Sequence, residues 1–291
     1  MTPNDLSNRV GSITDKAVER LSAAVTKTQK MLFDDVSALL SKLELDSDGL
    51  VKQNAANRKV LTKLDGVFNK SIRESGYYES LDDYTDNIIR LTSANDQYFN
   101  FILDSFTVDA HYIKSLQKQS IAEIEGLLAN DGLTVALKDP LKQILNTNVN
   151  TGASFSDMLT QVRGFIQGTP DAEGKLLRYS KQITRDSLFN YSSSLQESVS
   201  QSAGLQFYYY QGHLMTDSRP FCIERKGKYY HKNEVESWAS MDWQGKRTGT
   251  TSSTIFIYRG GYNCLHQIIP VSEAVVPKEV IERAKDKGFY V

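Results

Sequence analysis

Apolar residues recur every three or four positions through the first two-thirds of the chain. Val10, Ile13, Ala17, Leu21 and Ala24 form one stripe, continued by Leu32, Val36, Leu39, Leu40 and Leu43. That period turns one helix face toward a core. Asp46-Ser47-Asp48-Gly49 interrupts it with turn-forming residues. Val60, Leu61, Leu64, Val67, Phe68 and Ile72 make a second stripe, closed near Gly76. Residues 80–128 are rich in Ile, Leu, Tyr and Phe, have no Pro or Gly before Gly126, and fit one or two further helices. Ser154-Phe155-Ser156-Asp157 has the form of a capping box. It predicts a helix through Met158, Leu159, Val162, Phe165 and Ile166, ended by Gly168-Thr169-Pro170. One long helix is expected over 175–203, with Gly204 as its C-cap.

The texture changes after Gly204. Phe207-Tyr208-Tyr209-Tyr210 reads as an aromatic strand. Lys226-Gly227-Lys228, between short apolar runs from Ile223 to His231, suggests a tight hairpin. Thr254-Ile255-Phe256-Ile257-Tyr258 is the strongest strand candidate, ended by Gly260-Gly261. Pro277 opens a last helix over 278–287, with Gly288 as its stop. The expected fold class is therefore α+β. A mainly α-helical N-terminal region, residues 1–149, precedes a small α+β module, residues 150–291, with a short, mostly antiparallel sheet.

Charge sharpens this division. Residues 205–291 carry twelve Lys and Arg against nine Asp and Glu, whereas residues 1–204 carry a formal charge of −4. The whole chain has a net charge of −1, so no global field steers it toward nucleic acid or membrane. No window approaches eighteen apolar residues, so no membrane span is expected. The polar N-terminus lacks the apolar core of a secretory signal, and two cysteines are too few for a disulfide scaffold. The expectation is a protein made in a reducing cytoplasm.

The candidate chemistry lies in the last third. Cys222, Cys264 and His266 are ligand types that zinc prefers, and a fourth ligand can come from His213, Asp217 or His231. If Cys264 and His266 lie on one strand, they point to the same face. Three readings stay open for the cysteines: buried thiols, metal ligands or a disulfide. Asp217 and Arg219 can bind a carboxylate or phosphate, or stitch a turn. Gly260 and Gly261 allow close backbone approach, or simply turn the chain. Lys226, Lys228, Lys246 and Arg247 are the candidate contacts to DNA phosphates, against the plainer reading of a solvated loop. Walker, dinucleotide-binding, zincin and nucleophile-elbow motifs are all absent. Absence of these motifs favours a non-enzymatic role.

The order of segments from about residue 150 to 270 resembles the Mu F-type minor head protein family of tailed bacteriophages. The helix start TGASFSDMLTQVRGFIQ is followed by the long helix RYSKQITRDSLFNYSSSLQESVSQSAG. An aromatic strand then leads into TDSRPFC, and the domain closes on GGYNCLHQIIP. The family's Asp-x-Arg-x-x-His-or-Cys element is matched by Asp217, Arg219 and Cys222. Its Asn-Cys-Arg-Cys-or-His element is matched by Asn263, Cys264 and His266, with Leu265 in place of the Arg. The resemblance implies a minor virion protein at the head interior or portal vertex. Such a protein acts in head assembly and in genome packaging or ejection. The implied partners are portal or other head proteins and packaged double-stranded DNA, bound without sequence preference. The competing class is a metal-dependent nuclease or transferase using the Asp217, Cys222 and His266 region.

Overall fold

A computed structural model describes residues 1–103, 109–129 and 131–289. Its elements bear out the α+β expectation. The first stripe forms one helix, α1 (Pro3–Leu40). The second is split at Thr62 and Lys63 into α2 (Ala55–Leu61) and α3 (Leu64–Glu74). Next come α4 (Tyr77–Thr85), α5 (Asn87–Ile102) and α6 (Ala110–Leu128). Residues 104–108, inside the stretch expected to be helical, lie outside the described residues. A short α7 (Asp131–Leu133) passes through a π-helical turn, Thr134–Lys138, into α8 (Asp139–Thr151).

The helix α9 (Phe155–Ile166) begins where the capping box places it, with the Ser154 side chain accepting the Asp157 N–H at 3.1 Å. A two-stranded turn, β1 (Gly168–Thr169) with β2 (Ala172–Glu173), leads into α10 (Lys175–Ser202). Among the described residues, no helix is long and apolar enough to cross a membrane.

The main sheet has three strands in the order β4-β3-β5, all antiparallel: β3 (Phe207–Gly212), β4 (Lys228–His231) and β5 (His266–Val271). The two-residue period of β3 divides its aromatics. Tyr208 and Tyr210 enter a cluster with Phe221, Trp238, Phe256 and Ile268. Phe207 and Tyr209 pack with Val271, Val276 and Val280. Also in this region are α11 (Pro220–Arg225), α12 (Lys232–Ser237), α13 (Ile255–Tyr258) and the last helix, α14 (Lys278–Asp286).

Two local expectations are corrected. Thr254–Tyr258 is not a strand; Ile255–Tyr258 forms the single helical turn α13, with Thr254 at its N-cap. The Ile255 N–H reaches the Thr251 carbonyl at 2.9 Å, and the Thr251 and Thr254 hydroxyls bond each other at 3.1 Å. Its adjacent apolar residues Ile255 and Phe256 both bury in the aromatic cluster, which one helical turn permits. The strand lies instead at β5, where every residue is buried. It is an edge strand, so Pro270 with its missing N–H is tolerated there. The expected hairpin at Lys226-Gly227-Lys228 has a helix, α11, as its first arm, because Pro220 occupies the first helical turn.

The chain packs into two compact units, each assembled from separated stretches. One comprises Met1–Lys16, Asp86–Ile121 and Arg185–Val291, and holds the main sheet. The other comprises Ala17–Thr85 and Ala122–Thr184 and is almost entirely helical. Inside the sheet-bearing unit, the Tyr98 hydroxyl donates to the Pro270 carbonyl at 2.7 Å, and the Gln267 amide reaches Ser7 at 3.3 Å.

Candidate metal centre

Four segments of the sheet-bearing unit converge on one point. β3 contributes Tyr210, α11 contributes Cys222, the loop after α13 contributes Cys264, and β5 opens with His266. Cys222, Cys264 and His266 are each only 2% exposed. The Cys222 and Cys264 sulfurs lie 3.9 Å apart, and Cys264 Sγ lies 3.7 Å from His266 Nδ1. The Tyr210 hydroxyl donates to Cys222 Sγ at 3.3 Å, and its ring stacks on His266 with centroids 5.3 Å apart.

The loop between α13 and β5 is shaped by close approach. A Cβ on Gly260 would sit 2.5 Å from Cys222 Sγ and 2.8 Å from Cys264 Sγ, so only glycine lets the backbone pass the thiols. Gly261 has φ +100, and a Cβ there would lie 1.9 Å from the Gly245 carbonyl oxygen. Arg259 and Asn263 also take positive φ, 52 and 55. Asn tolerates this region; for Arg259 the conformation is strained by on the order of 1–3 kcal/mol, held by the surrounding contacts. Cys264 thus lies in a turn and His266 begins a strand. Cys264 lies outside the strand, so strand alternation does not account for the approach of its Sγ to His266 Nδ1.

A buried charge network backs the thiols. Arg259 is 1% exposed, donates to Ser193 Oγ at 3.1 Å and lies over the Phe189 ring. Asp186 accepts the Asn263 N–H at 3.0 Å. Burial raises Asp186 above the ordinary carboxylate range, with Arg259 and Arg247 pulling against it. The two thiols act as a pair. Cys222 keeps its proton, because its bond to Cys264 and its burial both raise it. Cys264 is held well below the usual thiol value: the bond from Cys222 is the largest cause, and His266 and Arg259 add to it against burial. Arg259 is itself lowered by burial, with Cys264 and Asp186 opposing.

One face of this cluster opens into a cleft of about 590 Å³. Asp217, Arg219 and Cys222 from one sequence element, and Asn263, Cys264 and His266 from the other, all line it. His213 and Arg185 line it as well. Arg219 ties the two elements together, its Nη2 donating to the Tyr262 carbonyl at 2.6 Å. Among the described residues no ion pair joins Arg219 to the exposed Asp217.

His231 is not a fourth ligand. It caps α12, its Nδ1 accepting the Asn233 N–H at 3.2 Å, and it packs against Phe207 on the opposite face of the sheet. The basic candidates are used unevenly. Lys246 Nζ donates to the Ala239 and Met241 carbonyls, each at 2.7 Å, and Arg247 lies over the Tyr258 and Tyr262 rings. Lys228 is exposed and Lys226 half-buried. Arg259 and Asp186 were not legible as site residues. They carry no motif, and the only sequence hint is an arginine directly before the Gly-Gly.

Comparison with protein-family models, with curated proteins and with solved structures finds no match to this chain. The site's chemistry therefore rests on its geometry. Two thiols and an imidazole form a buried donor set with one side toward a polar cleft, a set suited to a thiophilic metal.

Proposed function

We propose that this protein is a structural minor head protein of a tailed bacteriophage, acting at the portal vertex or head interior in assembly and in packaging or ejecting the genome. One observation carries the reading. The two sequence elements that suggested the family, Asp217-x-Arg219-x-x-Cys222 and Asn263-Cys264-x-His266, are some forty residues apart yet line one cleft, bonded through Arg219 and the Tyr262 carbonyl. A shared site gives both elements a common reason to be present. Leu265, standing where the family has Arg, lines the same cleft; the buried cation here is Arg259. Quantitative mass spectrometry of purified particles tests the proposal. A few copies per virion are expected, and absence from particles overturns it.

The competing reading is a metal-dependent nuclease or transferase, favoured by one feature: the donor cluster opens on a cleft that also holds Asp217 and His213. Incubating the protein with duplex DNA and zinc, magnesium or manganese separates the two readings. Unchanged DNA is expected of the structural protein, and metal-dependent cleavage that disappears in His266→Gln would replace that reading.

A further inference from the structure

We propose that Cys222, Cys264 and His266 bind a single zinc ion whose fourth coordination position opens onto the cleft. Zinc holds sulfur at about 2.3 Å and imidazole nitrogen at about 2.0–2.1 Å. At a tetrahedral angle, two such sulfurs lie about 3.8 Å apart, and sulfur and nitrogen about 3.6 Å. The observed separations are 3.9 Å and 3.7 Å, and all three ligand atoms lie within 4.8 Å of one another. The sulfur spacing is the edge of a coordination tetrahedron; a disulfide would require about 2.05 Å.

The site is also preformed. Its ligands come from a helix, a turn and a strand, brought together by the absence of a side chain at Gly260. His266 has no competing use: Nδ1 faces Cys264, and among the described residues its buried Nε2 has no hydrogen-bond partner. No fourth Cys, His, Asp or Glu joins the cluster among the described residues. Three protein ligands with an open position are the pattern of reactive rather than purely structural zinc. The cleft beside that position is lined by Arg185 and Arg219, which suits a small anion or an anionic oxygen as the exchangeable ligand. The zinc site stands independently of the virion role.

The full chain, purified with reductant, should retain about one equivalent of zinc through desalting, by elemental analysis. Replacing zinc with cobalt should produce a thiolate-to-cobalt charge-transfer band and the visible bands of a four-coordinate ion. Added azide should shift the visible bands, because it enters the open position. Cys222→Ser, Cys264→Ser and His266→Gln should each weaken binding at least about tenfold. Should a variant fail to fold, the wild-type chain still decides the question. Zinc should protect both thiols from N-ethylmaleimide, and chelator should release them together. Zinc far below one equivalent with no cobalt–thiolate band overturns the site. A Cys222–Cys264 disulfide in reduced preparations overturns it equally. A cobalt spectrum that azide leaves unmoved overturns the open position.

Discussion

The two compact units bury different chemistry. The helical unit hides polar side chains that are neutral: Thr28, Gln29, Asn57, Ser71, Ser75 and Asn148 among them. Among the described residues, every buried Asp, Glu, Arg and His belongs to the sheet-bearing unit: Asp186, Glu197, Arg225, His231, Glu234, Arg259 and His266. Both buried thiols lie there too. A core of Leu and Val at helical spacing gains from burial alone. A core holding charges is stable only while each is paired, so its interior is specified by chemistry rather than by volume. The contrast places the candidate metal ligands in the unit whose interior holds the charged side chains.

The largest test of this contrast is Arg259→Met. It removes the bond to Ser193 Oγ and the cation near the buried Asp186 and Cys264, with an expected loss of about 3 kcal/mol. Trp238 and Trp243 both lie in the sheet-bearing unit, so tryptophan fluorescence during urea unfolding reports that unit directly. Leu141→Ala in the helical unit, a cavity at a fully buried position, should cost about 3 kcal/mol, read by far-ultraviolet circular dichroism. If Arg259→Met costs less than about 1 kcal/mol, the charged interior is not what holds its unit together.

Gly260→Ala should cost about 2 kcal/mol, because the added methyl drives the two thiols apart. Its φ is not positive, so the loss measures crowding alone, and trimming the crowded atom with Cys222→Ala should recover part of it.

A smaller effect is expected at Glu234. It accepts from Arg283 at 2.9 Å, from Lys287 at 2.8 Å and from the His231 N–H at 3.0 Å. Burial raises its pKa, but these three bonds outweigh burial and hold it below the ordinary value of 4.5. A lowered folded-state pKa stabilises the protein above 4.5, and that contribution is lost as pH falls through the folded value. Glu234→Gln should cost about 2 kcal/mol at neutral pH, with the difference from wild type shrinking in acid. A difference constant from neutral pH to below about 4 would exclude this ion cluster as the cause.

The smallest effect concerns DNA. Lys228 is exposed and Lys226 half-buried, whereas Lys246 is bonded to two carbonyls. Changing Lys226 and Lys228 to Ser should weaken duplex binding and lower the log–log salt slope by about 2, with no change in stability. An unchanged slope would remove this turn from any DNA contact.

The helical stripes, the Ser154 cap, the long helix to Ser202, the aromatic strand and the final helix were legible because each is a local agreement of period and capping chemistry. The grouping of Cys222, Cys264 and His266 was legible only as a set of ligand types. Thr254–Tyr258 misled because β-branched and aromatic residues favour strands only where a neighbouring strand is available, and here the Ile255 N–H bonds the Thr251 carbonyl in a helical turn instead.

Local sequence was enough to specify the α+β class, the bounds of a few well-capped helices and a set of metal-ligand residue types, since these depend on neighbours within a few positions. Other facts exist only in the folded chain. Met1–Lys16 and Asp86–Ile121 join the sheet-bearing unit, His231 stays apart from the cysteines, and Arg259 is buried behind Cys264. The first joins stretches up to hundreds of positions apart, and Arg259 is held by Ser193 and Phe189, more than sixty positions away. Such pairings are set by which surfaces exclude water together and which buried charges find partners, and no local pattern records that competition.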